Sequence, residues 1–269
     1  MKIVLTTLLV LAPLVWLAPS AMAQSGTMAQ TARTGEESEV LDKGEGGTLS
    51  LSARVAPDYA DSGRSRVALM PGLEYRWASG WFASTERGVG YNFAKGAALQ
   101  YGLGLGADMG RQASGTLSGM GDVDARMEYA AFVQYALERD VQLSSSLRYG
   151  SGNDRQGLVV DVGAAYSTDL APRWKLGIGV GASWANAPYM QTYFGVSDTQ
   201  SSQAGFTVYT PGAGLRDLTS NLTLGYTLAP GLTLAGGLAA STLLGDARNS
   251  PIVQSSNRVS ASLALRYAF

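Results

Sequence analysis

Hydrophobic and polar residues alternate one by one along most of the chain beyond residue 46. The stretch 173–184 shows this most clearly. Its apolar positions are Trp174, Leu176, Ile178, Val180, Ala182 and Trp184, and between them stand Lys175, Gly177, Gly179, Gly181 and Ser183. Successive side chains of a β-strand point to opposite faces, so a period of two predicts a strand with one apolar face.

The same alternation recurs in the stretches 123–137, 141–149, 217–228 and 258–269, with charges on one face of each. Such a series of strands predicts an all-β fold, an antiparallel up-and-down β-barrel. About eleven candidate strands can be counted, and bacterial single-chain barrels have an even number, so we expect 12 strands, with 10 as the alternative. Residues 80–93 form one strand or two, and residues 192–209 either hide a further strand or form a loop.

Alternation alone does not tell whether the apolar face points outward to lipid or inward, as in a soluble ligand-binding barrel. Three features favour a transmembrane barrel: aromatic residues stand at strand ends, the polar face is mostly small with few charges, and turns are tight. Trp174 and Trp184 would lie roughly 25 Å apart along the membrane normal, the height of an apolar band. The predicted aromatic girdle consists of Trp174, Trp184, Tyr226, Tyr267 and Phe269.

The N-terminus has the three parts of a secretory signal peptide: Lys2, an apolar run over residues 3–18, and the small-residue pattern Ala21-Met22-Ala23. The sequence predicts a cleavable signal peptide over residues 1–23. Residues 24–46 are polar and unpatterned, and we interpret them as a flexible periplasmic lead-in. Residues 47–269 are predicted to form a barrel in the outer membrane of a Gram-negative bacterium.

The links between strands are of two lengths. Short links at 94–96, 138–140, 170–172 and 229–231 are predicted to be periplasmic, and longer links at 108–121, 150–156, 185–212 and 245–255 to face outside. The link 185–212 is unusually aromatic for a solvated loop. Tyr189, Tyr193 and Phe194 are therefore candidate contacts for something outside the cell, or else they pack on the barrel rim.

The amino-acid composition limits the reactions and ligands that can be expected of this protein. The chain contains neither histidine nor cysteine, so it lacks the usual general base and the usual transition-metal ligands. The formal net charge of −1 gives no basic field for nucleic acid. We predict no enzyme activity, no catalytic residue, no cofactor and no metal site, although a Ca²⁺ site built from loop carboxylates stays open. Asp122, Asp124 and Glu128, with Arg126 among them, are interpreted as a lumen ion-pair network.

The predicted inward face carries charges of both signs. They are Arg54, Arg66, Glu74, Arg76, Asp124, Arg126, Glu128, Arg148, Asp161, Lys175, Arg258 and Arg266. Opposite charges can pair across a small barrel and plug it, whereas an excess of arginine favours a narrow channel with some anion preference.

Several short motifs resemble the MipA/OmpV family of outer-membrane proteins (the MltA-interacting protein family). They are Glu74-Tyr75-Arg76-Trp77, Arg87-Gly88-Val89-Gly90-Tyr91, Tyr193-Phe194-Gly195-Val196-Ser197, Gly245-Asp246-Ala247, Ser250-Pro251-Ile252-Val253 and Arg266-Tyr267-Ala268-Phe269. The resemblance covers about residues 48–269.

What the resemblance implies is a non-enzymatic scaffold that contacts a murein lytic transglycosylase and a penicillin-binding protein. A narrow diffusion pore and an adhesin or surface antigen are the alternatives. The terminal Phe269 resembles the signal by which such barrels are passed to the barrel-assembly machinery, and outer-membrane lipid is the remaining expected partner.

Overall fold

The computed structural model describes residues 45–57, 65–94, 96, 98–138 and 140–269, without the side chains of residues 56, 57, 65 and 66. The predicted signal peptide, residues 1–23, and the lead-in up to residue 44 lie outside the described residues. The described chain forms a closed antiparallel barrel of 12 strands, each paired with its neighbours in sequence and β1 with β12. The strands are β1 (Gly46–Pro57), β2 (Ser65–Arg76), β3 (Trp81–Ser84), β4 (Gly88–Asn92), β5 (Leu99–Asp108), β6 (Arg126–Ala136), β7 (Val141–Ser151), β8 (Gly157–Ala171), β9 (Trp174–Ala185), β10 (Gly214–Ala229), β11 (Leu232–Leu243) and β12 (Asn257–Ala268).

Alternation places large apolar side chains on the outside of the wall. In β12, for example, Val259, Leu263 and Leu265 are exposed, while Ser260 and Ser262 between them are half-buried and face inward. The outward apolar face is continuous around the barrel, which no water-soluble fold leaves uncovered at this scale. The prediction of an all-β barrel with apolar residues outside is confirmed.

The two ambiguous stretches differ. Residues 80–93 form two short strands, β3 and β4, joined by a tight turn. Residues 192–209 add no strand to the barrel among the described residues, only an isolated bridge between Val196 and Tyr209. The expectation of 12 strands is confirmed, and the alternative of 10 is wrong. Gly88 lies in the left-handed region with φ 76°, which lets the chain reverse between β3 and β4.

The strands β3 and β4 are short, so the barrel wall is shorter at this hairpin than elsewhere. Strand β3 pairs with β2 only over Glu74–Arg76. Among the described residues, the part of β2 before Glu74 therefore forms a β-ladder only with β1. Pro71 lies in that part of β2, where its missing N–H interrupts no ladder because an edge position needs no donor.

The barrel closes at the two ends of the strand series. Phe269 and Gly47 exchange two backbone hydrogen bonds of 2.9 Å, just beyond the regular β1–β12 ladder. The Phe269 ring lies directly over Gly47, where an added Cβ would come within 2.5 Å of the ring. Glycine at 47 and an aromatic ring at 269 are therefore complementary in shape.

Long and short links separate by barrel end. The end that carries Gly46 and Phe269 has the short turns at 77–80, 137–140, 172–173 and 230–231. The opposite end carries the long links, which contain a 3₁₀ turn and three short helices: α1 (Ala187–Phe194), α2 (Asp198–Ala204) and α3 (Gly245–Asn249). Among the described residues, no helix has both the length and the apolar character needed to cross a membrane.

Candidate functional site: the charged belt and the closed mouth

Charged side chains form a belt inside the barrel, near the end with the long links. The strand register places these side chains at similar heights in the barrel. Gly106 pairs with Glu128, Ala130 with Arg148, Ser146 with Asp161, and Ser183 with both Asp161 and Asp217. We call Asp108, Glu128, Arg148, Asp161, Arg216 and Asp217 the charged belt.

Arg148 is the centre of this belt. Its guanidinium lies 3.3 Å from Asp161 and 3.4 Å from Glu128. Asp161 also accepts a hydrogen bond of 2.6 Å from the Ser183 hydroxyl. Because Glu128 is only 2% exposed, loss of Arg148 would leave a buried carboxylate without its partner, a change that costs about 3–5 kcal/mol in buried ion pairs.

A second buried pair lies in β10. Arg216 and Asp217 are 1% and 2% exposed, and the Arg216 Nε donates to Asp217 over 2.5 Å. A β-bulge between Leu215 and Asp217 inserts Arg216 as an extra residue, which turns its side chain inward beside that of Asp217.

The link between β9 and β10 folds down onto the belt. We call residues 186–213 the mouth loop. It opens with α1, whose first turn is capped by the Asn186 side chain accepting from the Tyr189 backbone N–H and contains Pro188. Tyr189 and Tyr193 are four residues apart, so they share one helix face, and their rings lie 4.6 Å apart between centroids.

Both phenols are tied to the belt. The Tyr189 hydroxyl accepts a hydrogen bond of 2.9 Å from Arg216, and the Tyr193 hydroxyl donates to Asp108 of β5. Tyr189, Tyr193 and Phe194 belong to a buried apolar cluster with Met190, Val123, Val159, Ala185 and Ala247. The mouth loop is thus packed against the inner wall from several sides.

This placement corrects the expectation that Tyr189, Tyr193 and Phe194 are contacts for something outside. They are 4%, 3% and 8% exposed, so the protein itself covers their rings. The physical reason is that an aromatic helix face beside a polar lumen gains more from apolar burial plus hydrogen bonds to the belt than from solvent. The alternative, packing at the barrel rim, describes what is seen.

The other long links are joined to the mouth loop. Arg111 donates a hydrogen bond of 3.0 Å to the Tyr193 carbonyl, and Ser250 donates one of 2.5 Å to the Phe194 carbonyl. A second apolar cluster, of Leu117, Met120, Val196 and Ile252, joins three links. The links therefore form one folded layer across the barrel end.

Burial changes the acidity of the two phenols. Removal from water is the main cause that raises the pKa of Tyr189, and the neighbouring Arg216 opposes it. Burial also raises the pKa of Tyr193, with the Asp108 carboxylate adding to the effect. Both phenols are therefore neutral at physiological pH and serve as hydrogen-bonding groups.

The remaining predicted lumen charges fall into separate groups. Glu74 lies 2.6 Å from Arg76 and 2.5 Å from Arg87, and Arg126 lies 2.8 Å from Asp124. Lys175 lies 3.6 Å from Asp169 near the opposite end. Asp122 accepts from the Ala113 backbone N–H, outside this set of ion pairs. The side chain of Arg66 lies outside the described residues.

Two predicted lumen arginines, Arg54 and Arg258, are exposed and make no ion pair with any described residue. Arg266 is half-buried and interacts with another group, so it is not a free charge. All three lie on strand faces opposite the outward apolar side chains, and so inside the barrel.

The aromatic girdle residues stand at the strand ends. Trp174 and Tyr226 pack with centroids 4.8 Å apart at the end that holds the termini, where Tyr267 and Phe269 also stack. Trp184 is exposed near the other end of β9. Among the described residues, no group of three or more Asp, Glu, His or Cys side chains is placed to hold a metal ion.

A closed barrel that is apolar outside, polar inside and ringed with aromatic side chains at both ends is a transmembrane β-barrel, and here an outer-membrane one of a Gram-negative bacterium. Its even strand number puts Gly46 and Phe269 on the same side of the membrane as the short turns, and we expect this side to be the periplasm, where outer-membrane barrels have their short turns. The chain belongs to the MipA family, because the family model described as "MltA-interacting protein MipA" matches residues 49–269.

No individual curated protein matches the chain. Among solved structures, it is similar to the KdgM porin (10% identity, TM-score 0.44, covering 82% of this chain and 99% of that one). It is also similar to the NanC porin (10%, 0.48, 81% and 98%) and to OmpT of Vibrio cholerae (9%, 0.41, 84% and 97%). At these values the similarity says nothing about what the chain binds or transports.

Proposed function

We propose that this protein is a non-enzymatic outer-membrane scaffold, whose barrel holds a periplasmic contact surface for enzymes that cut and build murein. The family description names an interaction with MltA and supports this proposal. The observation that carries it is the closed outer mouth: Tyr189 and Tyr193 are buried and hydrogen-bonded to the belt, so the barrel is fitted to act as a rigid anchor.

The contact surface lies on the periplasmic side in this proposal. Glu138, Asp140 and Asp169 are exposed on two neighbouring turns there. The turns adjoin, because the Ser167 backbone N–H donates to the Asp140 carbonyl over 2.8 Å. Asp169 is paired with Lys175, which leaves Glu138 and Asp140 as the acids that can meet basic side chains of a partner, since complementary charge guides association.

The test is co-purification of the tagged barrel with the organism's membrane-bound lytic transglycosylase. The double variant Glu138→Lys/Asp140→Lys should weaken capture about tenfold, equivalent to ~1.4 kcal/mol. The control, Asp154→Lys on an outer link, should bind as the unmodified protein does. Absence of capture by the unmodified barrel, or equal capture by both variants, would refute the scaffold.

A second candidate function, a narrow pore, is favoured by one observation. A cavity lies between the mouth loop and the β10–β12 wall, lined by Tyr193, Phe194, Arg216, Ser241 and Arg258 among others. Single-channel recording in planar bilayers decides between the two: discrete conductance steps that change on Arg258→Glu support a pore, and a silent, folded barrel supports the scaffold alone.

A further inference from the structure

The barrel wall has an opening above the β3–β4 hairpin, toward the end with the long links. The tip of the hairpin makes its last contact with β2 through Thr85. The Thr85 backbone N–H donates to the Leu73 carbonyl over 2.9 Å, and its Oγ1 accepts from the Leu73 N–H over 3.2 Å. Beyond this level residues 65–72 continue β2 for about 26 Å, at ~3.3 Å per residue. Among the described residues, only β1 forms a ladder with this stretch.

Strand β5 bounds the opening on its other side. Strand β4 pairs with β5 only as far as Val89 opposite Leu105, and β5 continues to Asp108. Two strands that complete the lower wall are therefore missing between β2 and β5 at the upper level. Neighbouring strands lie ~4.8 Å apart, so the opening is about 10 Å wide. We call the space between residues 65–72 and the upper end of β5 the lateral notch.

The edge of β2 at the lateral notch carries backbone groups that no described residue pairs. Leu73 directs both its N–H and its C=O toward Thr85. Because these groups alternate sides along a strand, the N–H and C=O groups of Val67 and Leu69 point into the notch, together with the Pro71 carbonyl. Val67 and Leu69 are 62% and 68% exposed on the outward face, at a level where the barrel contacts lipid. Unpaired backbone groups are costly in hydrocarbon, so a molecule with polar groups must reach this edge.

The inward side of the lateral notch is small and apolar. The inward positions of β2 along it are Ala68, Met70 and Gly72, and those of β5 are Gly104 and Gly106. Met70 is the one long side chain of this set, and its unbranched chain adapts to the shape of an apolar neighbour. The notch therefore combines an apolar lining with unpaired N–H groups at its edge.

We propose that the lateral notch binds an acyl chain of a lipid from the surrounding membrane, in the outer leaflet when the short turns face the periplasm. The ester or amide carbonyls at the head of the chain accept from the N–H groups of Val67 and Leu69, and the chain packs on Met70. A lipid thus supplies both the acceptors and the apolar surface that the notch requires.

A β-strand from another chain fits this edge less well. Pro71 interrupts the row of N–H donors that an added strand needs, and proline on an edge strand is a common protection against such pairing. The lateral notch also lies at the opposite end of the barrel from the periplasmic turns, so the lipid site does not depend on the scaffold proposal.

The experiment measures whether lipid chains reach the inward face at the notch. The mature barrel with Ala68→Cys, labelled with bimane at its only cysteine, is placed in phosphatidylcholine vesicles with brominated acyl chains, which quench the label on contact. Ser262→Cys is the matched control: Arg54 pairs with both Ala68 and Ser262, but Ser262 has paired strands on both sides. Leu263→Cys on the outward face gives the value for full lipid contact. Quenching of Ala68→Cys should be at least about twofold that of Ser262→Cys, because lipid chains do not cross a fully paired wall.

Filling the notch should remove this quenching. Met70→Phe/Gly106→Leu adds bulk on both flanks, and a Cβ at position 106 meets only the Arg87 carbonyl, at 3.7 Å. In this background, quenching of Ala68→Cys should fall to the value of Ser262→Cys. The control Gly236→Leu adds bulk to β11, where a Cβ meets nothing within 4 Å, and should leave the quenching unchanged. A change in gel migration on heating confirms that each variant is a folded barrel.

The proposal is overturned by equal quenching of Ala68→Cys and Ser262→Cys, or by unchanged quenching in the folded Met70→Phe/Gly106→Leu background. With equal quenching, strong quenching of Ala68→Cys by aqueous iodide would show that water fills the notch, and disulfide-linked dimers of Leu69→Cys would show a second copy there. Glu138→Lys/Asp140→Lys should leave the quenching of Ala68→Cys unchanged, so failure here and failure of the scaffold proposal are seen separately.

Discussion

At the scale of single residues, Tyr193 links the mouth loop to the barrel wall. Its hydroxyl donates to Asp108, its carbonyl accepts from Arg111, and its ring is buried in the apolar cluster. Hydrogen bonds to charged groups contribute about 1.5–3 kcal/mol when both partners are well placed. One oxygen atom therefore accounts for a measurable share of the stability of the closed mouth.

Tyr193→Phe should loosen the mouth loop by about 1.5–3 kcal/mol, because Asp108 loses the donor to its Oδ2 while the ring stays in place. Hydrogen exchange of α1, followed by mass spectrometry, should speed up correspondingly. Tyr149→Phe on the outer face removes an exposed hydroxyl and is the matched control. Equal protection of α1 in both variants would show that the Asp108 contact stabilises nothing.

Alkaline pH should open the mouth loop. The pKa of Tyr193 is raised in the folded protein from its ordinary value of 10.0, so the neutral phenol is favoured by folding. That stability is fully present below the ordinary pKa and is lost as pH rises above it. Protection of α1 should therefore fall above pH 10 and fall less in Tyr193→Phe, where the remaining dependence reports Tyr189. A profile that is flat across this range in the unmodified protein would contradict the assignment.

At the scale of elements, period-two alternation predicted the long strands because one face of each contacts lipid and the other the lumen. The helices of the outer links follow a different rule, since they pack on one another above the lumen. Two local signals mark them: Pro188 just after the Asn186 cap of α1, and the capping box of Ser197 and Gln200 at the start of α2.

The candidate site could be predicted only in part from the sequence, because alternation assigns faces only to residues of regular strands. Strand parity places Glu128, Arg148 and Asp161 on the inward face. Parity gives Arg216 the wrong face, because a bulge inserts one residue and reverses the alternation. Asp108 and Arg111 lie where β5 ends, so their role depends on a loop fold that no periodicity encodes.

The mouth loop and the barrel should behave as separable elements. Tyr193→Ala/Phe194→Ala removes two buried rings, each of which costs about 3–5 kcal/mol in a packed core, so the loop should loosen. The barrel should still assemble, since its ladders do not involve these side chains. Proteinase K should cut the loop while gel migration remains that of a folded barrel.

The control for this pair is Tyr166→Ala/Leu170→Ala on the outward face of β8, which leaves the loop packed. Retained resistance of the loop in Tyr193→Ala/Phe194→Ala would mean that the second cluster, around Met120 and Val196, holds it alone.

At the scale of the whole molecule, the two ends of the barrel differ in structure. The outer end is closed by three links that share apolar clusters and hydrogen bonds. The periplasmic end has short turns and the seam at which Phe269 meets Gly47. Because the seam pairs Phe269 with Gly47, the barrel can close only when the first and the last strand are both available.

The orientation of the barrel can be tested directly because the chain contains no cysteine. Asp154→Cys stands on an outer link and Ala171→Cys at the end of β8 beside a periplasmic turn, both exposed. A bulky, membrane-impermeant maleimide should label Asp154→Cys in intact cells, and Ala171→Cys only after the outer membrane is permeabilised. Ser183→Cys, 1% exposed beneath the mouth loop, should resist labelling in both conditions and become reactive in the background of Tyr193→Ala/Phe194→Ala. The reverse labelling of the first two would place the termini outside, and immediate labelling of Ser183→Cys would mean that the mouth is open in the cell.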